Sequence, residues 1–208
     1  MPYIQANKRS AYEPLINNAI SAIMLNNKPP LRKAELFGYF VHRLCEHYLY
    51  AQPSVTAFNS HMFEIGTKKQ IEDIATKIVP LLNREDLVGS AGNLNYAISA
   101  VWWGICGDHS QVTLAGYGFR TVTRGVLEQL IESINSFQFE KNPTGGVNQK
   151  ISLVRRVFTV KGVLNDVVSE CYRRKTVPYE DAKIAENGDV WDENGLVTGS
   201  DDQPLAIT

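Results

Sequence analysis

The sequence predicts an all-α protein, a bundle of about six helices with a small C-terminal β-hairpin. Three observations predict it. Apolar residues recur at spacings of three and four along most of the chain, the period that turns one face of a helix toward a core. Glycine and proline fall between those stretches and punctuate them. The one strong hairpin signal is Asn194-Gly195, set between the short apolar runs Asp189-Val190-Trp191 and Leu196-Val197-Thr198.

The first helix is expected from about Glu13-Pro14 to Leu25, with Pro14 in its first turn and Leu15, Ala19, Ile20 and Ile23 on one face. Asn26-Asn27-Lys28-Pro29-Pro30 ends it. The second, about Arg32 to Tyr50, has the cleanest stripe: Leu36, Phe37, Phe40, Val41, Leu44 and Tyr48. The third runs from a cap at Thr67 through Ile71, Ile74, Ala75 and Ile78 until Pro80 weakens it. Gly89-Ser90-Ala91-Gly92 reads as a loop, after which Leu94 to Trp103 form a central helix that is apolar nearly all round. The fifth helix, about Thr121 to Phe137, carries Val126, Leu127, Leu130, Ile131 and Ile134. After Pro143-Thr144-Gly145-Gly146, the sixth spans about Ser152 to Arg174 with Val157, Phe158, Leu164, Val167, Val168 and Cys171. Gly125 and Gly162 recur in similar short segments of these two helices. Glycine costs about 1 kcal/mol inside a helix, so the pair predicts close helix approach.

A chain of 208 residues with 44% hydrophobic and 21% charged residues can bury a full core, and residues 1–198 read as one helical domain followed by a flexible tail at 199–208. The net charge of -1 gives no general attraction to nucleic acid or anionic membrane. Cys45, Cys106 and Cys171 are odd in number and sit in apolar contexts, which argues against a disulfide framework or a four-thiolate zinc site. The N-terminus lacks a signal-peptide pattern, and no stretch approaches eighteen uninterrupted apolar residues. The expectation is a cytoplasmic protein with no cofactor and no membrane partner.

Near the C-terminus, Pro178 suits the start of a short helix, Glu180 and Asp181 suit its first turn, and Asn187-Gly188 supplies its stop. Charge is segregated around it. Lys150 to Lys183 holds eight cations and four acids, a balance of +4, whereas Ile184 to Thr208 holds six acids and no cation. Arg173 and Arg174 present planar donor forks suited to phosphate or carboxylate. They equally suit internal pairing with Glu180, Asp181 or Glu186, which would pin the last helix to the sixth. The candidate ligand-binding residues are Tyr172, Arg173, Arg174, Tyr179, Glu180, Asp181, Asn187 and Asp189.

Three elements together make the chain resemble a family of small uncharacterised proteins from tailed phages and bacteria. These are Met1-Pro2-Tyr3-Ile4, Gly92-Asn93-Leu94-Asn95-Tyr96-Ala97-Ile98, and Glu170-Cys171-Tyr172-Arg173-Arg174 through Pro178-Tyr179-Glu180-Asp181 to Glu186-Asn187-Gly188-Asp189-Val190. The resemblance implies a mainly helical fold and a phage-type origin, and brings no known activity. Typical members are shorter, which implies an insertion across residues 28–84.

Other constellations are weaker. Glu128, Glu132, Glu170 and Asp189 are candidate magnesium ligands of the kind that helical nucleotide pyrophosphohydrolases use, but the chain has no Glu-x-x-Glu pair on a helix. Cys106, Asp108 and His109 have metal or nucleophile chemistry without a second ligand pair. His42, Cys45 and Glu46 share a helix but lack the second histidine of a zincin. Gly116-Tyr117-Gly118-Phe119-Arg120 reads as an aromatic loop that could stack a base or pack on the core. Trp102 and Trp103 suit the core with one partly exposed face, a candidate contact in a homo-oligomer. The leading expectation is a phage-encoded, non-catalytic binding protein that recognises a phosphate-bearing ligand such as a nucleotide, or a host protein, in the host cytoplasm. A magnesium-dependent nucleotide pyrophosphohydrolase and a virion structural or assembly component are the alternatives.

Overall fold

The computed structural model describes residue 4 and residues 6–24, 29–49, 65–82, 87–106, 114–135 and 147–187. These form seven α-helices, and among the described residues there is no strand. They are α1 (Ala6–Met24), α2 (Pro30–Leu49), α3 (Ile65–Ile78), α4 (Leu87–Cys106), α5 (Leu114–Asn135), α6 (Val147–Cys171) and α7 (Val177–Asn187). A 3-10 turn, Val79–Leu82, follows α3, and a π-turn, Tyr172–Thr176, joins α6 to α7. The expected hairpin and tail lie outside the described residues. None of the described helices is long and apolar enough to cross a membrane. The chain divides into a first unit, Met1–Val168, and a second, Ser169–Thr208.

In the first unit α2 is the central helix, packed against α1, α3, α4 and α5. Its expected stripe of Leu36, Phe37, Phe40, Val41, Leu44 and Tyr48 is fully buried. Each such side chain contributes about 1.5–3 kcal/mol through burial. Phe37 stacks on Trp102 of α4 with ring centroids 6.0 Å apart, and the Trp102 Nε1–H donates to Thr123 Oγ1 of α5 at 2.8 Å. At the other end of α2, the Tyr48 and Ser90 hydroxyls share a hydrogen bond of 2.7 Å. These two contacts set α2 antiparallel to α4. Tyr12 meets Tyr96 edge-on at 5.7 Å while Ile20 lies against Gly104, so α1 runs parallel to α4.

Several expected boundaries move, each for a tertiary reason. Helix α1 begins seven residues before Glu13, leaving Pro14 in its interior. The added turns bury Tyr12, whose hydroxyl donates to the Leu81 carbonyl at 2.6 Å, and the Arg9 Nε–H donates to the Ile4 carbonyl at 3.3 Å. Gly89-Ser90-Ala91-Gly92 is helical, because its small buried residues let α4 approach the core and Ser90 has Tyr48 as a partner. Gly116 to Arg120 likewise forms the opening turns of α5, which replaces the expected aromatic loop. On α6 the buried positions Val157, Val160, Leu164, Val167 and Cys171 follow the three-four spacing and leave Phe158 exposed, off the expected stripe.

The glycine expectation is also corrected. Among the described residues nothing lies within 4 Å of a Cβ placed on Gly125 or Gly162. Close approach occurs at Gly38, where a Cβ would overlap Val126 Cγ1, and at Gly104, where it would meet the Ile20 side chain. Gly38 thereby sets the distance between α2 and α5.

Candidate functional site

The second unit opens with the last residues of α6, the π-turn and α7 in one continuous helical run. Pro178 explains the π-turn. Its nitrogen carries no hydrogen to donate to the Arg174 carbonyl one α-turn earlier, and its ring crowds that carbonyl. The backbone widens instead, and the Val177 N–H donates to the Tyr172 carbonyl. The second residue of α7 is thus the proline that the sequence places at a helix start, and Glu180 occupies its first turn.

On this turn two guanidinium groups converge on one carboxylate. Arg173 donates from Nε to Glu170 Oε2 at 3.0 Å and from Nη2 to Glu170 Oε1 at 2.9 Å, a bidentate fork. Arg174 donates from Nε to Glu170 Oε1. The Arg173 hydrogen bonds, with Arg174 behind them, hold the Glu170 carboxyl down at about 2 against the pull of its own desolvation. The Arg173 side chain is nevertheless 64% exposed. Tyr172 is 41% exposed, and its hydroxyl donates to Glu180 Oε2 at 3.0 Å. Asp181 is exposed on α7. Tyr179 and Asn187 lie on α7 with side chains outside the described part, and Asp189 lies outside the described residues.

The arginines pair with Glu170, an internal partner that the expectation of Glu180, Asp181 or Glu186 did not include. The reason is local: Glu170 stands three and four positions before the arginines, the spacing of helix neighbours. Glu180 takes the Tyr172 hydroxyl, and Glu186 pairs with Lys183.

The other candidates separate. Glu128 pairs with Arg124 at 2.8 Å, Glu132 is exposed, and among the described residues no three His, Cys, Asp or Glu side chains come together as metal ligands. Cys45, Cys106 and Cys171 are buried and outside any disulfide. Burial pushes the Cys45 thiol up to about 12, which leaves it inert as a nucleophile at neutral pH. Asp108 and His109 lie outside the described residues. Trp102 is buried, and Trp103 is half-buried.

One polar group is legible only in part from the sequence, which singles out His42 and Glu46 without their partners. Tyr39, His42, Arg43 and Glu46 form a three-four stripe on α2 that meets Lys68 and Glu72 of α3. Buried Arg43 donates from Nη1 to Glu46 and from Nη2 to Glu72 at 2.5 Å. The Tyr39 hydroxyl donates to Glu72 at 3.4 Å, and the Lys68 ammonium lies 5.5 Å from the Tyr39 ring centroid. His42 Nδ1 lies 3.9 Å from Glu46, and burial, with Arg43 alongside, lowers the imidazole pKa and keeps it neutral. The charges in this seam balance, which fits a structural tie between α2 and α3. Its period was visible in the sequence, but charged residues at those positions look like a solvated face.

The elements behind the family resemblance divide in the same way. Ile4 is buried, Asn93 donates to the Leu81 and Leu82 carbonyls at 3.2 and 3.3 Å, and Leu94 and Ile98 are core. Packing and capping account for these. The arginine pair on the π-turn lies at the surface.

No curated protein and no solved structure matches this chain. One family model does, that of a domain of unknown function (DUF6899), over residues 1–190. That span includes both the helical body and the arginine-bearing turn, and the chain belongs to the DUF6899 family.

Proposed function

We propose that the protein is a non-catalytic binding protein of phage-type origin, acting in the host cytoplasm, whose π-turn surface takes a phosphate-bearing small molecule such as a nucleotide. The observation that carries the reading is the convergence of Arg173 and Arg174 on one turn, where the Arg173 side chain is 64% exposed. Glu170 orients both arginines. Arg173 and Arg174 thus form a preorganised cationic surface, and little side-chain entropy remains to be lost when an anion arrives. Tyr172 adds an exposed ring beside the pair on which a base can stack. The commitment of Glu128 to Arg124 and of Glu170 to Arg173 and Arg174 favours binding over magnesium-dependent hydrolysis.

Thermal unfolding against a panel of nucleotides, with and without magnesium, tests this. ATP or a relative should raise the melting temperature without needing magnesium and without turnover. Arg173→Ala with Arg174→Ala should weaken that binding at least about 100-fold, since each charge-assisted hydrogen bond contributes about 1.5–3 kcal/mol. Circular dichroism should show the helices intact. A wild type indifferent to every nucleotide, or a double variant that binds as well as the wild type, would sink the reading.

A further inference from the structure

We propose that Arg120 anchors a second, buried oxyanion site at the N-terminal end of α5, in the first unit and independent of the π-turn surface. Arg120 is only 4% exposed. It lies on the buried stripe of α5 with Thr123, Leu127 and Leu130, while Thr121, Val122 and Arg124 face solvent. Its guanidinium therefore projects from the core face of the helix. Its Nε and Nη2 are buried and make no hydrogen bond among the described residues.

A guanidinium cannot shed its proton at any physiological pH, so burial does not neutralise it as it would a lysine. Leaving such a charge without a counter-charge is strongly unfavourable. The neighbouring polar groups are committed elsewhere. The Thr123 hydroxyl accepts from Trp102 Nε1 and lies within hydrogen-bond reach of the Phe119 and Arg120 carbonyls, at 3.0 and 2.9 Å.

Two features specify the ligand. Nε and Nη2 form the edge of the guanidinium that matches two oxygens side by side, as on a carboxylate or a phosphate. Arg120 is the seventh residue of α5, and helical side chains incline toward the N-terminus. The guanidinium thus leans toward the opening turns, where the helix dipole adds further positive potential. A small oxyanion seated there would satisfy both.

Thermal unfolding in inorganic phosphate and, separately, in acetate, at ionic strength held constant with potassium chloride, decides the matter. The wild type should show a saturable rise in melting temperature, about 5–10 °C at a hundredfold excess over the dissociation constant. A rise with phosphate alone assigns a phosphate site, and a rise with both assigns any two-oxygen anion. Arg120→Met should abolish the rise, and Arg120→Lys, which keeps the charge without the fork, should weaken binding at least tenfold. If the methionine variant does not fold, the lysine variant carries the test. The Arg173→Ala, Arg174→Ala double variant should keep the full response. No rise in the wild type, an equal rise in the Arg120 variants, or a rise lost in the double variant would overturn the proposal.

Discussion

Replacing Glu170 with glutamine removes the charge on which both arginines are mounted, and its cost follows from the geometry. The carboxyl lies at about 2 instead of its ordinary 4.5, which corresponds to an upper limit of about 3 kcal/mol favouring the ionised, folded state. Exposure reduces this figure. The Arg173 and Arg174 side chains are 64% and 30% exposed, and solvent-screened pairs contribute about 0.2–1 kcal/mol each. Glu170→Gln should therefore cost about 1–2 kcal/mol at pH 7. The sign of its pH dependence is fixed. The folded carboxyl is more acidic than the unfolded one, so its contribution is complete above about pH 4.5 and is lost as pH falls toward about 2. Carboxyl carbon NMR checks the titration, and amide exchange across residues 169–187 checks the local loss without assuming that the two units unfold together. Lowering the pH to 3.5 should leave Glu170 largely ionised, whereas an ordinary glutamate, at about 4.3, is mostly protonated there. A Glu170 midpoint at or above 4.5, or unchanged exchange in the glutamine variant, would refute the reasoning.

The seam between α2 and α3 predicts unequal costs for its two carboxylates. Glu46→Ala removes the buried partner of buried Arg43 and should cost about 3 kcal/mol, whereas Glu72→Ala, at a position whose side chain is 43% exposed, should cost about 1 kcal/mol. Urea denaturation that ranks them the other way would contradict the assigned burial. Glycine substitutions should differ in sign. Gly125→Ala gains helix propensity in open space and should stabilise by about 0.5–1 kcal/mol, whereas Gly38→Ala drives a methyl into Val126 and should lose about 1–2 kcal/mol net. A stabilised Gly38→Ala protein would show that α2 and α5 are not held at the distance described.

What the sequence disclosed depended on whether a local rule and the tertiary packing agreed. Along α2 they agree: the Leu36 to Tyr48 stripe has helical period and strong helix formers, and all six of its residues are buried. The same holds for Ile71, Ile74, Ala75 and Ile78 of α3, which ends before Pro80 as expected. At the starts of α4 and α5 the two conflict. Gly89, Gly92, Gly116 and Gly118 carry the propensity of a loop, about 1 kcal/mol each against helix. At α4, Ser90 against Tyr48 and the burial of Gly92 outweigh that cost. Nothing within the local window announces such a partner 42 residues away. Arg120 reads in the sequence as the end of an aromatic loop for the same reason, and its place on the buried stripe of a helix follows only from α5 beginning at Leu114.

The arginine-bearing turn shows how a punctuation residue can act at a distance from itself. Pro178 reads in the sequence as a helix start and nothing more. Its missing donor instead widens the preceding turn, so Tyr172–Thr176 takes about one residue more than an α-turn would. Eight residues separate Tyr172 from Glu180. In an unbroken α-helix that separation leaves two side chains roughly 80° apart, because two turns hold only about seven residues. The added residue absorbs the difference and brings Tyr172 and Glu180 onto one face, where their hydrogen bond forms. Glu180 is thereby occupied by a phenol, and the two arginines turn back to Glu170. A proline that suits a helix start thus widens the turn before it and brings Tyr172 and Glu180 together, while Glu170 holds the two arginines by its local spacing.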